Sequence, residues 1–198
     1  MTTHQQRRII VAITGASGAI YGIRLLQVLA HLGVETHLVL SDAAKITLTS
    51  ETDLSVGEVQ SLAAVVHHSK DIAASISSGS FQTEGMIVAP CSMRTLAEIS
   101  TGVTTSLVSR AADVVLKERR RLVLLVRETP LHLGHLRSMV QVTEMGAVVM
   151  PPVPAFYQRP ASLDDVIHHT VNRCLDLFQM APPDTYRWQG LNENPRGS

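Results

Sequence analysis

Apolar residues in this chain come in short unbroken runs, separated by stretches where they recur every three or four positions. Ile9-Ile10-Val11-Ala12-Ile13 runs into Thr14-Gly15-Ala16-Ser17-Gly18, and Ile20, Ile23, Leu26 and Ala30 then follow at the spacing of one helix face. A short continuous apolar run is the pattern of a strand buried on both faces of a parallel sheet. The alternation repeats along the chain. Residues 34–40 predict a second strand, and 41–49 a helix with Ser41 near its cap. The segment 55–68, with Val56, Val59, Leu62, Ala63 and Val66, predicts one helix. A strand over 85–89, a helix from about Ser92 and a helix over 103–117 come next. They are followed by a strand over 122–126, a helix over 132–145 and a last short strand over 147–150. Ser162 with Asp165 reads as a capping box for the final helix, whose core stripe is Ile167, Val171, Cys174 and Phe178. Strand and helix alternating in this way predict an α/β fold on a parallel sheet.

Ligands of open α/β sheets bind at the carboxyl ends of the strands, so the turns there carry the candidate chemistry. The first turn reads G-x-x-G-x-x-x-G, with Gly15 and Gly18 permitting close approach and Ser17 able to cap the helix or donate to an anion. Its helix start offers free N–H groups to a phosphate, although the same turn serves equally as a plain connection. No acidic residue ends the second strand to hold a ribose; Leu38-Val39-Leu40 leads into Ser41, which favours a mononucleotide over NAD. A second turn, Pro90-Cys91-Ser92-Met93, faces the same edge. Cys91 beside a helix start is either a nucleophile or, more simply, a small buried side chain. Arg127-Glu128 ends a buried strand and is a candidate for the site. Arg110 and Lys117, seven residues apart, project within about 20° of each other on one helix. Glu51-Thr52-Asp53 reads as a solvated bend, Arg119-Arg120-Arg121 as a solvated turn, and Ser75 to Phe81 as a small polar loop. Pro151 to Tyr157 is a stiff loop carrying an aromatic pair, and Val166, Thr170, Arg173 and Leu177 form a second flank of the last helix.

Composition changes the picture in three ways. Charged residues are 17% of 198 and the mean hydropathy is +0.16, which points to surface hidden against copies of the same chain. A net charge of zero gives no general attraction to nucleic acid or to a membrane surface. Two cysteines, Cys91 and Cys174, form no disulfide framework and suit a reducing cytosol. No run is long enough for a membrane span and no apolar leader opens the chain. The pairs His67-His68 and His168-His169 read as surface residues, and no metal site is expected. The tail from Ala181, rich in proline and polar residues but holding Trp188, reads as an arm lying on a neighbour.

Taken in order, TGASGAIYG, SSGS, APCSM, SRAADVVLKERR, RETP, HL-x-x-M, PAFY and RWQG resemble the flavin prenyltransferases of the UbiX type, nearly end to end. SSGSF, PPVPAFY and RWQGL are most similar to the branch named as a component of hydroxyarylic or phenolic acid decarboxylases. The resemblance implies a single-domain, flavodoxin-like (Rossmann-type), doubly wound parallel sheet over 1–180 with a C-terminal arm over 181–198. It implies a cytoplasmic homododecamer with FMN held between subunits. It implies FMN contacts from Gly15, Ala16, Ser17, Ser41, Ser92, Met93, Arg94, Thr95 and Arg127. Tyr157 and Arg173 would hold dimethylallyl phosphate, and Glu128, Lys117, Arg110, Glu51 and Ser17 would stand near the reacting groups. Three departures are visible: no Trp precedes the SSGS loop, Val126 replaces a usual Pro, and Ser138 a usual Asn.

The reaction implied joins a dimethylallyl group to reduced FMN, first at N5 and then at C6, without a metal. The prenylated FMN would pass to a UbiD-type aromatic acid decarboxylase. Allylic monophosphate leaves only if its charge is neutralised, and Arg110, Lys117, Arg127, Arg173, Tyr157 and Ser17 are suitable residue types. Glu128 is assigned proton transfer during ring closure or leaving-group handling. Two other readings share the fold. A flavin-dependent cysteine decarboxylase would need a catalytic His and an Asn-containing motif that are not in place. A non-catalytic flavin-binding partner of a decarboxylase would have no use for Tyr157, Arg173 and Lys117 together.

Overall fold

The computed structural model describes residues 6–183, 185 and 187. Six strands, β1 (Arg8–Ile13), β2 (Glu35–Leu40), β3 (Val65–His67), β4 (Gly85–Cys91), β5 (Arg121–Val126) and β6 (Val148–Val149), form one parallel sheet in the order β3-β2-β1-β4-β5-β6. Seven α-helices connect or follow them: α1 (Ala19–His31), α2 (Asp42–Glu51), α3 (Val56–Ser61), α4 (Met93–Thr101), α5 (Leu107–Lys117), α6 (Leu133–Glu144) and α7 (Leu163–Asp176). β3 is a three-residue edge strand. Without it the remaining order is the flavodoxin-like 2-1-3-4-5, with the switch point between β1 and β4.

Alternate residues of each strand face opposite sides of the sheet. Ile9, Val11 and Ile13 pack with α1, α2 and α7 residues such as Leu25, Leu48 and Val171. Ile10 and Ala12 pack on the other side with α4, α5 and α6 residues such as Leu96, Ala111 and Val142. Both faces are covered, which is why the strands read as unbroken apolar runs.

Three element boundaries differ from the sequence reading. The segment 55–68 is not one helix: α3 stops at Ser61, and Val65–His67 pairs with β2 instead. The open edge of β2 has unpaired backbone groups to satisfy, and Ala64 N–H also donates to Thr36 Oγ1 at 3.1 Å. Helix α5 begins only after Ser106, which forms a capping box with Ser109, so Val103 lies exposed in a linker. The cause is Gly102, at φ 70, which terminates α4 in the left-handed region and turns the chain out. β4 runs through Pro90 to Cys91; proline gives no N–H, and pairing with β5 shifts register between Val88 and Cys91. Ser41, Ser162 and the α7 stripe fall where the sequence puts them. Trp188 lies outside the described residues.

Helix α1 lies close over the sheet because Gly22 has no side chain. A Cβ there would stand 2.5 Å from the Ala89 carbonyl oxygen and 2.6 Å from Ile13 Cδ1. Gly22→Ala is therefore expected to destabilise the protein by about 1–3 kcal/mol in urea unfolding. Gly57→Ala in α3, where the nearest atom is 4.0 Å away, serves as the matched control and should be neutral or slightly stabilising.

Candidate active site

Two strand-to-helix turns meet at the switch point, and Thr14 joins them. Its hydroxyl donates to the Pro90 carbonyl at 2.8 Å and accepts from Ser92 N–H at 2.8 Å, while its own N–H donates to Pro90 O at 3.2 Å. Thr14 is buried, so these bonds are protected from water. Around them three helices present capped N-termini to one place. Ser41 accepts from Ala44 N–H at the start of α2, Ser92 from Thr95 N–H at the start of α4, and Ser106 from Ser109 N–H at the start of α5. Together with Gly15, Arg94 and Thr95 they line a cavity of about 230 Å³. Gly15 is required by packing: a Cβ would come within 2.4 Å of Ala43 Cβ. Serine hydroxyls and three positive helix ends suit an anion such as the terminal phosphate of a mononucleotide.

The start of α1 itself is not open. Gly18 and Ala19 N–H groups both donate to Glu51 Oε2, at 2.8 and 3.1 Å. Glu51 is the last residue of α2 and reaches across to cap a helix 32 residues away in sequence. Burial pushes its carboxyl pKa up, but the Ser17 hydroxyl, the two amides and the Arg127 charge outweigh this and hold it below the ordinary value. The solvated bend of the sequence reading is thus a fixed carboxylate, and the sequence carries no local signal for it. Arg127 stands over the same turn. A Cβ on Gly18, at φ 103, would be 3.3 Å from Arg127 Cδ. Burial raises the pKa of Tyr21 in this corner, and Arg127 opposes it.

The expected site residues fall into two groups at opposite ends of the sheet. Gly15, Ala16, Ser17, Ser41, Glu51, Ser92, Met93, Arg94, Thr95, Arg127 and Glu128 gather at the carboxyl ends of the strands. Arg94 is exposed and pairs with Glu98 at 3.0 Å, and Glu128 accepts from Thr129 N–H at 3.0 Å. Tyr157 is exposed on the β6–α7 loop, its ring 6.2 Å from that of His169. Arg110 lies in the first turn of α5 and pairs with Asp113 at 2.6 Å. Lys117 ends the same helix, eleven residues or about 16 Å long, and pairs with Glu118. That places it beside Gly79 at the amino ends of the strands. Arg173, in the last turn of α7, pairs with Asp176 at 2.6 Å, close before Phe178, which packs against Gly85 and Arg121. Arg110 and Lys117 therefore share a helix flank but turn to different carboxylates.

The lower group has its own scaffold. Arg120, read from sequence as part of a solvated turn, donates to the carbonyls of Phe81 at 2.7 Å and Gly79 at 2.6 Å. It thereby fixes the SSGS loop beside Lys117. Cys91 is fully buried and its pKa is pushed far up by burial, which removes the nucleophile reading. His67 is not a simple surface residue: it stacks on buried His37 and bonds it at 2.9 Å. Burial, with the His37 charge, lowers its pKa. No group of residues that could hold a metal ion occurs among the described residues. Nor is any described helix long and apolar enough to cross a membrane.

Fold and site together define an α/β protein with an anion pocket at the switch point. The family model described as Flavoprotein matches residues 1–174. The flavin prenyltransferase UbiX of Escherichia coli (strain K12) is 65% identical over 187 residues, covering 93% of this chain and 99% of that protein. Its counterpart from Thauera aromatica is 56% identical over 186 residues, covering 94% and 96%. Among solved structures, AnUbiX in complex with FMN and dimethylallyl pyrophosphate superposes with TM-score 0.92 at 55% identity, covering 94% of this chain and 99% of that one. A dodecameric FMN-dependent UbiX-like decarboxylase from Escherichia coli O157:H7 gives 0.90 at 53% identity, covering 92% and 100%. The FMN-dependent cysteine decarboxylase TvaF, at 15% identity and TM-score 0.61, shares the fold alone. The chain belongs to the flavoprotein family and, within it, to the flavin prenyltransferases of the UbiX type.

Glu51 gives this site a measurable pH signature. A depressed carboxyl pKa contributes stability above the ordinary value of 4.5 and loses it as pH falls through the folded value. Glu51→Gln should lower stability by about 0.3–1 kcal/mol at pH 7, the exposure of the group keeping the effect small. The gap from the parent protein should close as pH falls below about 4.5. Urea titrations of both proteins at pH 7 and pH 3.5 check it.

Proposed function

We propose that this protein transfers a dimethylallyl group from dimethylallyl phosphate to reduced FMN, forming bonds at N5 and C6 and releasing phosphate. The prenylated FMN serves a UbiD-type decarboxylase. The observation that carries the reading is the pairing of a serine-lined anion pocket with a separate set of cations whose residue types suit a second phosphate. FMN supplies the electron-rich nucleophile. The fit of its phosphate to this chain rests on Ser41, Ser92 and Thr95, three hydroxyls at helix N-termini around one cavity.

The chain's own groups divide the work. Gly15, Ala16 and Ser17 form the floor of the flavin site, with Met93 and Arg94 at its rim and Arg127 over the Gly18 turn. Glu51, held ionised between Ser17 and two amides, gives Ser17 a fixed orientation. Ser17, Arg110, Lys117, Tyr157 and Arg173 neutralise the leaving phosphate as the allylic C–O bond breaks. Glu128 moves the proton of ring closure.

Lys117 and Arg173 stand at the other end of the sheet from Ser92 in one chain. They meet the flavin pocket when a neighbouring copy brings its strand-start end to this one's strand-end edge. A dodecamer, the assembly of the Escherichia coli O157:H7 structure, supplies such contacts. Leu133, Leu136 and Val140, exposed along α6, are apolar surface for copies to cover. The cellular place is the cytoplasm, where a reducing environment keeps Cys91 and Cys174 as thiols.

Incubation with reduced FMN and dimethylallyl phosphate should yield a flavin heavier by one C5 unit in mass spectrometry; recovery of unmodified FMN alone would refute prenyl transfer. Arg173→Ala with Tyr157→Phe should slow turnover roughly ten- to a hundredfold while leaving FMN retention unchanged. Subunit mixing tests the shared site. Oligomers assembled from equal amounts of Lys117→Ala and Glu51→Gln chains should recover roughly a quarter of parental activity, since each site draws its two halves from different copies. No recovery would place both residues in one chain's site.

A further inference from the structure

Helix α5 ends in a way that fixes the residue after it. Arg119, at φ 56, takes the left-handed conformation; its N–H donates to Leu116 O at 3.0 Å and the Arg120 N–H to Val115 O at 2.9 Å. This doubly bonded helix stop sets the Arg120 backbone firmly between α5 and β5. From there the guanidinium spans two carbonyls of the SSGS loop, Nη2 donating to Gly79 O at 2.6 Å and Nη1 to Phe81 O at 2.7 Å. Two further contacts stiffen the loop. The Ser78 and Ser80 hydroxyls bond each other at 2.9 Å across Gly79. The Phe81 ring meets His37 edge-on at 5.0 Å and lies under the Arg8 guanidinium at 5.4 Å. Against this fixed backbone rest the two charged side chains that close α5. A Cβ on Gly79 would stand 2.8 Å from Lys117 Nζ and 2.6 Å from Glu118 Cδ, so the ion pair between them lies on the bare Cα.

We propose that Arg120 is a positioning residue for Lys117 and acts through the SSGS loop: by holding the Gly79 and Phe81 carbonyls it fixes the backbone seat on which the Lys117 ammonium rests. The proposal rests on the reading of Lys117 as a cation that neutralises the leaving phosphate. A lysine carries its charge on a flexible four-carbon stem, and an exposed one spreads that charge over many positions. Here Gly79 limits the ammonium from one side and Glu118 holds it from the other. An ammonium placed in advance needs no reorganisation when charge develops on the phosphate. Gly79 suits the role because any side chain there would occupy the place of the ion pair. Arg120 suits it because a planar guanidinium grips two carbonyls at once, which the point charge of a lysine does not.

The test is steady-state kinetics with dimethylallyl phosphate on the intact oligomer, run as a double-variant cycle of Arg120→Ala and Lys117→Ala. Arg120→Ala alone should lower kcat/KM roughly tenfold with FMN retention unchanged, and low, non-denaturing guanidinium should restore part of the loss. Lys117→Ala should lower it roughly ten- to a hundredfold. Adding Arg120→Ala to Lys117→Ala should lower it no further, because the group being positioned is already gone. Arg120→Lys should behave like Arg120→Ala, and it takes that variant's place in the cycle if Arg120→Ala fails to assemble. Losses that multiply in the double variant would overturn the proposal by making Arg120 a support of the fold. Unchanged kinetics in both Arg120 variants would overturn it as well. Lys117→Ala with parental kinetics would instead refute the placement of Lys117 in the transfer, and the proposal with it.

Discussion

Everything functional in this molecule hangs on the buried hydroxyl of Thr14. With two 2.8 Å bonds it locks the end of β1 to the end of β4, at the switch point where α1 and α4 pass to opposite sides of the sheet. The split leaves a crevice above the strand ends, and Thr14 sets its width. Ser41, Ser92 and Ser106 line the cavity in this crevice. A serine or valine there would keep the hydrophobic packing nearly intact, yet valine would leave Pro90 O and Ser92 N–H without a partner in a dry place. Hydrogen bonding and packing are here the work of one side chain.

A second constraint is electrostatic. The start of α1 is a positive helix end at the crevice, and the chain fills it with Glu51 rather than leaving it to a ligand. The effect is to separate two anion environments. One is the neutral, serine-lined pocket between α2, α4 and α5. The other is a corner where Glu51, Ser17 and Arg127 hold one another in place around a charge balanced within the protein. The first is an open cavity, and the second retains a carboxylate and a hydroxyl beside an arginine.

Length alone forces the third feature. Helix α5 carries Arg110 and Lys117 to different ends of the sheet, and α7 carries Arg173 the same way down. Lys117 and Arg173 therefore stand away from the pocket lined by Ser41 and Ser92 within one chain. On the proposed function a neighbouring copy would bring them to it, and the exposed apolar residues of α6 are surface open to such a contact. Arg120 grips the SSGS loop at this same end of the sheet.

The sequence by itself determined the layered α/β fold, because strands buried on both faces must read as continuous apolar runs and helices against them as one-sided stripes. It also determined the two turns at the strand ends, since Gly15 and Gly18 mark a tight turn and Ser41 and Ser92 are helix caps there. Order and spacing of the motifs carried the family. Tertiary structure alone decided what those motifs touch. Glu51 looks like solvent-facing punctuation because its partners, Gly18 and Ala19, are over thirty residues away. Val65–His67 reads as helix because three residues are too few to show a period, and the open edge of β2 claims them. Arg110 and Lys117 share a helix flank by spacing, but rise along the axis and the pull of Asp113 and Glu118 keep them apart. Periodicity reports which face a residue lies on; what stands opposite that face is fixed by contacts between segments far apart in the chain.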